Sequence, residues 1–302
     1  MENFNWKNYI ERYPDLQEAG INTRKKAIRH YNNFGKNENR TDYNRYSLNI
    51  TRTSNPVFRT STIPTSSTLT LNKVKLPTSV DLRSKFPPCY DQGNLGSCTA
   101  NAIIGAYQYL TPSFMGSRLF LYYNERVIEK SVKCDCGAYI RNGIKAIKNS
   151  GLCIETDWPY TIKRFAVKPI ASCYKSALKH KAINVYNVVQ TLEAMKGYLV
   201  AGFPFIVGIV CYNSFESTSA MATGLIPLPT SKDTVLGGHC VICIGYNDTI
   251  TCPGSPAGSW LMRNSWSTNI YGSLKGNFWI PYAYLTNTKL TSDCWEITTG
   301  SG

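Results

Sequence analysis

The sequence predicts an α+β fold in which a helical lobe and a strand-rich lobe meet at a cleft. Two helical segments lie early in the globular region: 99–110 is apolar with small residues, and 139–149 has apolar residues along one side. Short apolar segments typical of strands follow later, at 203–210, 240–245, 260–263 and 277–280. With 302 residues, 43% of them apolar, the chain is long enough for one large domain or two ordinary ones.

The first 40 residues are predicted to form a small helical module. Aromatic and apolar residues recur at helical spacing from Trp6 to Tyr13. Thr23 is a suitable N-cap for a second helix that runs to Tyr31. His30 lies within this module, where we expect it to pack against neighbours or face solvent rather than to take part in catalysis.

Residues 41–75 have a different composition from the segments on either side. They are rich in Thr, Ser and Asn and contain two prolines. Such a segment cannot bury enough apolar surface to fold by itself, so we predict an extended linker. The sequence therefore divides into a helical module at 1–40, a linker at 41–75 and a large globular domain at 76–302.

The chain carries a net charge of +14, and half of this excess lies in residues 1–75. The basic residues stand singly or in short clusters such as Arg24-Lys25-Lys26, without the aromatic residues that accompany them in nucleic-acid motifs. The pattern is typical of a solvated basic face. A site for a polyanion or a protein partner in the N-terminal region is the alternative.

The sequence has no apolar run of about 18 residues or more, so we predict no membrane-spanning helix. Its first residues lack the basic start and apolar stretch of a secretory signal. We therefore expect a location inside the cell that makes the protein.

Eleven cysteines are present, and because the number is odd at least one lies outside any intramolecular disulfide. Cys240 and Cys243 lie in an apolar run and are expected to be buried, inert thiols. Disulfides are expected to involve Cys89, Cys134 or Cys136, but spacing does not fix their connectivity. Only three histidines are available as further ligands, so we expect no metal site.

The most informative segment is residues 90–102, in which a glycine-bearing turn brings Cys98 to the first turn of a helix. Unpaired N–H groups and the helix dipole at that position favour a thiolate, the form of cysteine that attacks a carbonyl. Gln92 lies close enough to donate a hydrogen bond beside the Cys98 N–H. Two such donors would hold the oxyanion of a tetrahedral intermediate.

A thiol nucleophile needs a base, and His239 has the most suitable context of the three histidines. Two glycines leave room before it, and a buried-strand pattern follows it. His180 lies between two lysines, which would disfavour its protonation. Asn264, at the end of another predicted strand, offers an amide that would fix the tautomer of the ring, and Trp266 would shield that hydrogen bond from water.

These residues resemble the signature blocks of the papain/cathepsin family of cysteine peptidases. The three blocks are Gln92 to Cys98, Gly238-His239 and Asn264-Ser-Trp266, and their order along the chain agrees with the family. Further similarity at 76–83, 137–160 and 276–282 extends the resemblance over about residues 76–297.

The resemblance implies a papain-like fold with a helical left lobe and a β-barrel-like right lobe. It implies peptide hydrolysis through an acyl-enzyme on Cys98, without a metal or organic cofactor. His239 would be the general acid and base, Asn264 would orient it, and Gln92 would donate to the oxyanion. The substrate-binding residues expected from the same blocks are Gly137, Ala138, Gly238 and Trp266.

The sequence departs from the usual family pattern in three respects. Leu95 stands where the family commonly has a disulfide-bonded cysteine, and Thr99 stands where a tryptophan usually follows the nucleophile. The inhibitory helix signature of family prosegments is not recognisable in residues 1–75. The run Gly-Ser-Cys-Thr-Ala-Asn-Ala instead resembles a less common branch from microbes and large DNA viruses. A cytoplasmic or virion-associated protein would suit the loss of that disulfide.

The leading functional hypothesis is a cysteine endopeptidase made as a zymogen. Residues 1–75 would cover the cleft and be removed by cleavage near Lys75-Leu-Pro77. The alternative is that the basic N-terminal region binds a partner or polyanion, with the peptidase domain secondary or used for transamidation.

Overall fold

The computed structural model describes Trp6, Tyr9, Ile10 and residues 14–35, 76–181 and 183–299. The linker predicted at 41–75 lies outside the described residues. The chain divides into two compact units, Met1–Ser47 and Leu48–Gly302.

The first unit contains helix α1 (Pro14–Glu18), helix α2 (Arg24–His30) and a π-helical turn at Tyr31–Gly35. Thr23 caps α2 as predicted, because its hydroxyl accepts a hydrogen bond from the Lys26 N–H. Apolar side chains from α1 and α2 form a small core with residues that precede α1; its buried members are Tyr9, Ile10, Leu16 and Ala27. His30 accepts or donates a 2.9 Å hydrogen bond with the Tyr9 hydroxyl, so it packs within this unit.

In its described residues, the second unit contains seven further α-helices. They are α3 (Cys98–Leu110), α4 (Arg118–Ile128), α5 (Ile140–Ser150), α6 (Ala171–Ala177), α7 (Leu192–Val200), α8 (Thr218–Thr223) and α9 (Tyr282–Thr286). Helices α3, α4 and α5 pack against one another, and α3 also packs on the sheet. This arrangement forms the helical lobe that the sequence predicts.

The helical lobe follows directly from residue pattern. Helix α3 is buried continuously from Cys98 to Tyr107, as its small apolar residues predict. Helix α5 buries Ile140, Ile144 and Ile147 on one side and ends at Gly151. The φ of Gly151 is +75°, and an added Cβ would lie 1.9 Å from the Ala177 carbonyl oxygen, so glycine is required there.

Seven antiparallel strands form the sheet of the second lobe. They are β1 (Ser79–Asp81), β2 (Ile183–Asn187), β3 (Phe205–Tyr212), β4 (Val235–Thr251), β5 (Ala257–Arg263), β6 (Asn277–Pro281) and β7 (Thr291–Thr299). Six of them follow the order β2-β7-β3-β4-β5-β6, and β1 pairs with β4. In the described residues this sheet is open. Strands β4, β5 and β6 are longer than the segments the sequence predicts, and β3 is shifted by two residues from its predicted segment.

Strand β4 is the centre of this lobe. It pairs with β3 so that Ile209 lies opposite His239, and with β5 so that Ile242 lies opposite Arg263. Gly245 also allows β1 to approach closely, since an added Cβ would lie 2.2 Å from the Val80 carbonyl oxygen. The pairing of β4 with β5 therefore brings His239 near the end of β5.

Among the described residues, no helix is both long enough and apolar enough to cross a membrane.

Candidate active site

Cys98 is the first residue of α3, and Ser97 precedes it at the N-cap position. The Cys98 side chain is fully buried. The backbone N–H of Cys240, directly after His239 in sequence, lies near the Cys98 sulfur and acts to lower the pKa of the thiol. Strand β4 therefore brings the neighbourhood of His239 to the start of α3, as the predicted site requires.

The imidazole of His239 is held by Asn264. Its Nε2 lies 2.7 Å from the Asn264 Oδ1, which also accepts the backbone N–H of Ser265 at 2.8 Å. Because Oδ1 accepts from Ser265, the Asn264 amide is oriented with its oxygen toward the ring. In the neutral ring the proton is therefore on Nε2, and Nδ1 carries the lone pair. That Nδ1 is buried and has no hydrogen-bond partner among the described residues.

Trp266 covers the ring of His239. The two rings stack with centroids 4.7 Å apart. Phe215 makes an edge-to-face contact with Trp266. Trp266 is fully buried. The structure thus shows the shielding that the sequence predicts for Trp266, while a contact with substrate stays a prediction.

Gln92 is also fully buried, and both ends of its amide are oriented. Its Nε2 donates to the Leu95 carbonyl at 2.9 Å, and its Oε1 accepts from the Ser265 hydroxyl at 2.6 Å. The Gln92 N–H donates to the Ser265 carbonyl, which ties the two segments together again. Sequence reasoning missed Ser265, although its place beside Asn264 was a usable signal.

Burial shifts the pKa values of Cys98 and His239 in opposite directions. It raises the pKa of Cys98 to about 12, against the lowering effect of nearby backbone N–H groups. It lowers the pKa of His239 to about 4, against the opposing effect of the Asn264 hydrogen bond. Burial therefore opposes the thiolate that the position of Cys98 at the start of α3 favours.

A buried carboxyl lies beside the nucleophile helix. Glu125 of α4 is fully buried, and its Oε2 accepts a hydrogen bond from the Thr99 hydroxyl at 2.8 Å. Burial raises the pKa of Glu125 well above its usual value. Thr99, the residue that replaces the usual tryptophan, therefore gives this acid a hydrogen-bond donor.

Comparison with known proteins agrees with this geometry. Residues 76–292 match the family model described as "Papain family cysteine protease". A peptidase C1-like protein of Acanthamoeba polyphaga mimivirus is 38% identical over 221 residues, which cover 68% of each chain. This chain belongs to the papain family of cysteine proteases.

Solved structures of papain-family proteins show the same fold. Xylellain, a cysteine protease from Xylella fastidiosa, is 40% identical with a TM-score of 0.67, over 75% of this chain and 87% of that one. Digestive procathepsin L 3 of Tenebrio molitor is 17% identical with a TM-score of 0.57, over 97% of this chain and 90% of that one. The predicted papain-like α+β fold and cysteine peptidase class are confirmed.

The predicted substrate-binding residues lie in two places. Gly137 has a φ of +75°, and with the buried Ala138 it precedes α5. Gly238 lines a cavity of about 320 Å³ beside His239. The cavity is bounded by Gly208, Ile209, Val210 and Tyr212 of β3, Val235, Gly237 and Gly238 of β4, and Lys289 and Ser292.

The cysteines outside the site are mostly free and buried, as expected for Cys240 and Cys243. Cys134 and Cys136 form a disulfide, whereas Cys89 is free and its thiol donates to the Asn277 side chain. Within the described ranges, no group of three or more His, Cys, Asp or Glu side chains is arranged to hold a metal ion.

Proposed function

We propose that this papain-family protease is an endopeptidase in which Cys98, His239, Asn264 and Gln92 perform the chemistry. The observation that supports this most directly is the His239–Asn264 hydrogen bond, which leaves the Nδ1 lone pair of the ring available. The residue that follows His239 in sequence, Cys240, lies with its backbone N–H near the Cys98 sulfur. The family makes hydrolysis the favoured outcome over transamidation.

In the proposed reaction, His239 acts as the base and then as the acid, first in acylation and again in hydrolysis of the acyl-enzyme. His239 Nδ1 takes the Cys98 thiol proton as the sulfur attacks the peptide carbonyl. The resulting oxyanion accepts a hydrogen bond from the backbone N–H of Cys98. It accepts a second one from the side-chain amide of Gln92, through the Nε2 hydrogen that is not bound to the Leu95 carbonyl. His239 then protonates the leaving amine as the tetrahedral intermediate collapses to the thioester. The same ring takes a proton from the attacking water and returns it to the Cys98 sulfur as the carboxylic acid product leaves.

We further propose that the chain is made as a zymogen. A substrate carbonyl must contact the Cys98 sulfur, yet neither Cys98 nor His239 has exposed surface. Removal of residues 1–75 would open the cleft and allow the Cys98–His239 pair to charge. The likeness to a procathepsin structure concerns the fold, so the role of residues 1–75 rests on their position before the family domain.

The test follows the full chain during incubation with a thiol reductant at mildly acidic and at neutral pH. Turnover of a fluorogenic peptide should rise as intact mass falls by about the first 75 residues. Cys98→Ala should stay full-length and inactive. Absence of thiol-dependent turnover, before and after removal of those residues, would contradict the peptidase proposal. Full turnover by the unprocessed chain would contradict only the zymogen proposal.

The cavity beside Gly238 is proposed to bind a bulky substrate side chain close to the cleaved bond. Three glycines leave its walls open, namely Gly208, Gly237 and Gly238. An added Cβ at Gly208 would meet Ser292 and Ile140 at 3.4 Å or more, which is ordinary contact. Gly208→Ala should therefore narrow the cavity without disturbing the fold.

A positional peptide library tests this proposal. Gly208→Ala should lower kcat/KM about tenfold for large side chains at one substrate position and leave small side chains unaffected. An equal loss for large and small side chains at every position would show that the cavity does not select the substrate.

The basic N-terminal module is a separate proposal for an accessory binding surface. Helix α2 exposes Arg24, Lys25, Lys26 and Arg29 together. Such a face would attract an anionic polymer or an acidic protein. Charge reversal of Lys25 and Lys26 should weaken salt-sensitive binding to heparin and leave peptide turnover unchanged. Binding that is insensitive to both salt and charge reversal would contradict the proposal.

A further inference from the structure

The turn that leads into Cys98 is fixed by a carboxylate from a distant part of the chain. Residues 92–98, here called the oxyanion turn, hold both donors proposed for the oxyanion. The backbone N–H of Gly96 in this turn donates to Asp135, at 2.9 Å to Oδ1 and 3.1 Å to Oδ2. Asp135 is 39 residues away in sequence, so this contact is tertiary.

Asp135 is itself held by buried groups of α4. The Tyr122 hydroxyl donates to the Asp135 Oδ1 at 2.5 Å. Burial, together with the Asp135 charge, raises the pKa of Tyr122, so this hydroxyl remains a donor. The buried guanidinium of Arg126 donates to the carbonyl oxygens of Val132 and Cys134, which fixes the backbone just before Asp135.

The residues on either side of Asp135 are crosslinked. Cys134 and Cys136 form a disulfide around it, which limits the conformations open to the Asp135 backbone. Leu95, which precedes Gly96, is buried and cannot form a crosslink of its own. The Asp135 hydrogen bond joins the oxyanion turn to this crosslinked segment.

We propose that Asp135 is a positioning residue that holds the oxyanion turn in its catalytic geometry through the Gly96 N–H. The inference rests on the proposed chemistry of Cys98 and deepens it. A carboxylate is the strongest acceptor for a backbone N–H. Release of Gly96 would misalign the Cys98 N–H and the Gln92 side-chain amide relative to the oxyanion, whereas alkylation of the thiol does not need that alignment. The loss should therefore appear in kcat and not in the reactivity of the thiol toward reagents that form no oxyanion.

The experiment compares Asp135→Ala, Asp135→Asn and Asp157→Ala with the wild-type full chain after processing. Asp157 is an exposed aspartate that accepts from the Ser176 hydroxyl, so its variant is a matched control. Asparagine at 135 can still accept both bonds that reach Oδ1, and it should retain more activity than alanine. Thermal unfolding establishes that each variant is folded.

Four measurements are made on each variant. In Asp135→Ala we expect kcat to fall about 10- to 100-fold, with a parallel loss of affinity for a peptide aldehyde whose hemithioacetal oxygen occupies the oxyanion position. The rate of Cys98 alkylation by iodoacetamide should stay unchanged. Hydrogen exchange in peptides covering residues 92–98 should be faster than in the wild type. Asp157→Ala should match the wild type in all four measurements.

Two results would overturn the proposal. One is a fall in alkylation rate that parallels the fall in kcat, which would indicate general disruption of the site. The other is wild-type hydrogen exchange at 92–98 in Asp135→Ala. If the wild-type chain shows no turnover, the proposed function fails, and the exchange measurement alone still decides whether Asp135 holds the turn. If Asp135→Ala does not fold, Asp135→Asn decides by the same measurements.

Discussion

The two sides of the candidate site are held in place by different kinds of contact. His239 lies within β4 and Asn264 directly follows β5, so regular backbone pairing between two central strands sets their separation. Cys98 and Gln92 belong to a turn that side chains from distant segments fix. Tyr160 donates to the Gln92 carbonyl and contacts the Ser97 hydroxyl, and Asp135 accepts from Gly96.

This difference means that the two sides of the candidate site should respond differently to substitution. A ladder of backbone hydrogen bonds tolerates many side-chain changes, because each pair contributes a small share of the whole. A turn fixed by single hydrogen bonds loses its geometry when one partner is removed. We therefore expect substitutions on the sheet side to lower activity when they remove a reacting group or introduce a backbone clash. On the turn side, loss of a single hydrogen bond should be enough to lower activity.

The largest effect on activity should come from His239 on the sheet side. His239→Ala removes the base and should lower kcat/KM about 10²- to 10⁴-fold. Iodoacetamide alkylation of Cys98 should slow in parallel, because the ring no longer takes the thiol proton. His180→Ala is the control, since His180 stacks on Phe114 elsewhere in the second unit. Equal loss in both variants would contradict the assignment of His239.

Asn264 should matter less, because it acts through the ring. Asn264→Ala removes one buried hydrogen bond to His239, worth about 1–3 kcal/mol, and should lower kcat by about 5- to 150-fold. Asn247 on β4 accepts from the Thr249 N–H at an exposed position, so Asn247→Ala is the control. A wild-type kcat in Asn264→Ala, measured with saturating peptide, would show that the strand alone orients the ring.

Gly245 tests the backbone pairing itself. In Gly245→Ala the new Cβ would lie 2.2 Å from the Val80 carbonyl oxygen, so β1 must separate from β4. We expect a loss of about 1–3 kcal/mol in unfolding free energy by urea denaturation. Gly208→Ala, with contacts of 3.4 Å or more, should change that free energy by no more than about 0.5 kcal/mol. Equal stability of the two variants would contradict the close approach of β1.

The smallest effect concerns the buried acid on the helix side. Because the pKa of Glu125 is raised above 4.5 in the folded chain, the folded protein keeps a proton that the unfolded chain loses above that pH. Glu125 therefore lowers stability progressively as pH rises above 4.5. His239 acts in the opposite direction: with a pKa of about 4 against 6.5, it lowers stability as pH falls from 6.5 toward 4.

Glu125→Gln should consequently raise the unfolding free energy at neutral pH and flatten its decline above pH 4.5. Urea denaturation at a series of pH values measures this slope. Glu193 is exposed, so Glu193→Gln should leave the slope as it is in the wild type. A steeper decline in Glu125→Gln would mean that Glu125 is ionised in the folded protein and stabilised by its neighbours.

The sequence was sufficient for the fold class, and it supplied most residues of the candidate site. The small apolar residues of α3 and the one-sided pattern of α5 predicted buried helices, since burial and helical period fix which residues face the core. Cys98, His239, Asn264 and Gln92 were identified because their chemistry appears in short local motifs. Strand ends were predicted less well, as β4 extends over 17 residues where only its apolar centre gave a signal.

The tertiary structure alone decided how the site is supported and what charge it carries. Ser265, Tyr160 and Asp135 reach the turn from segments distant in sequence, and no local pattern records which side chain meets which backbone N–H. The sequence suggested a thiolate from the helix position of Cys98, whereas the burial that opposes it is a property of the folded chain. Local sequence specifies reactive groups and periodicity, whereas solvation and long-range hydrogen bonds depend on where the folded chain places every other segment.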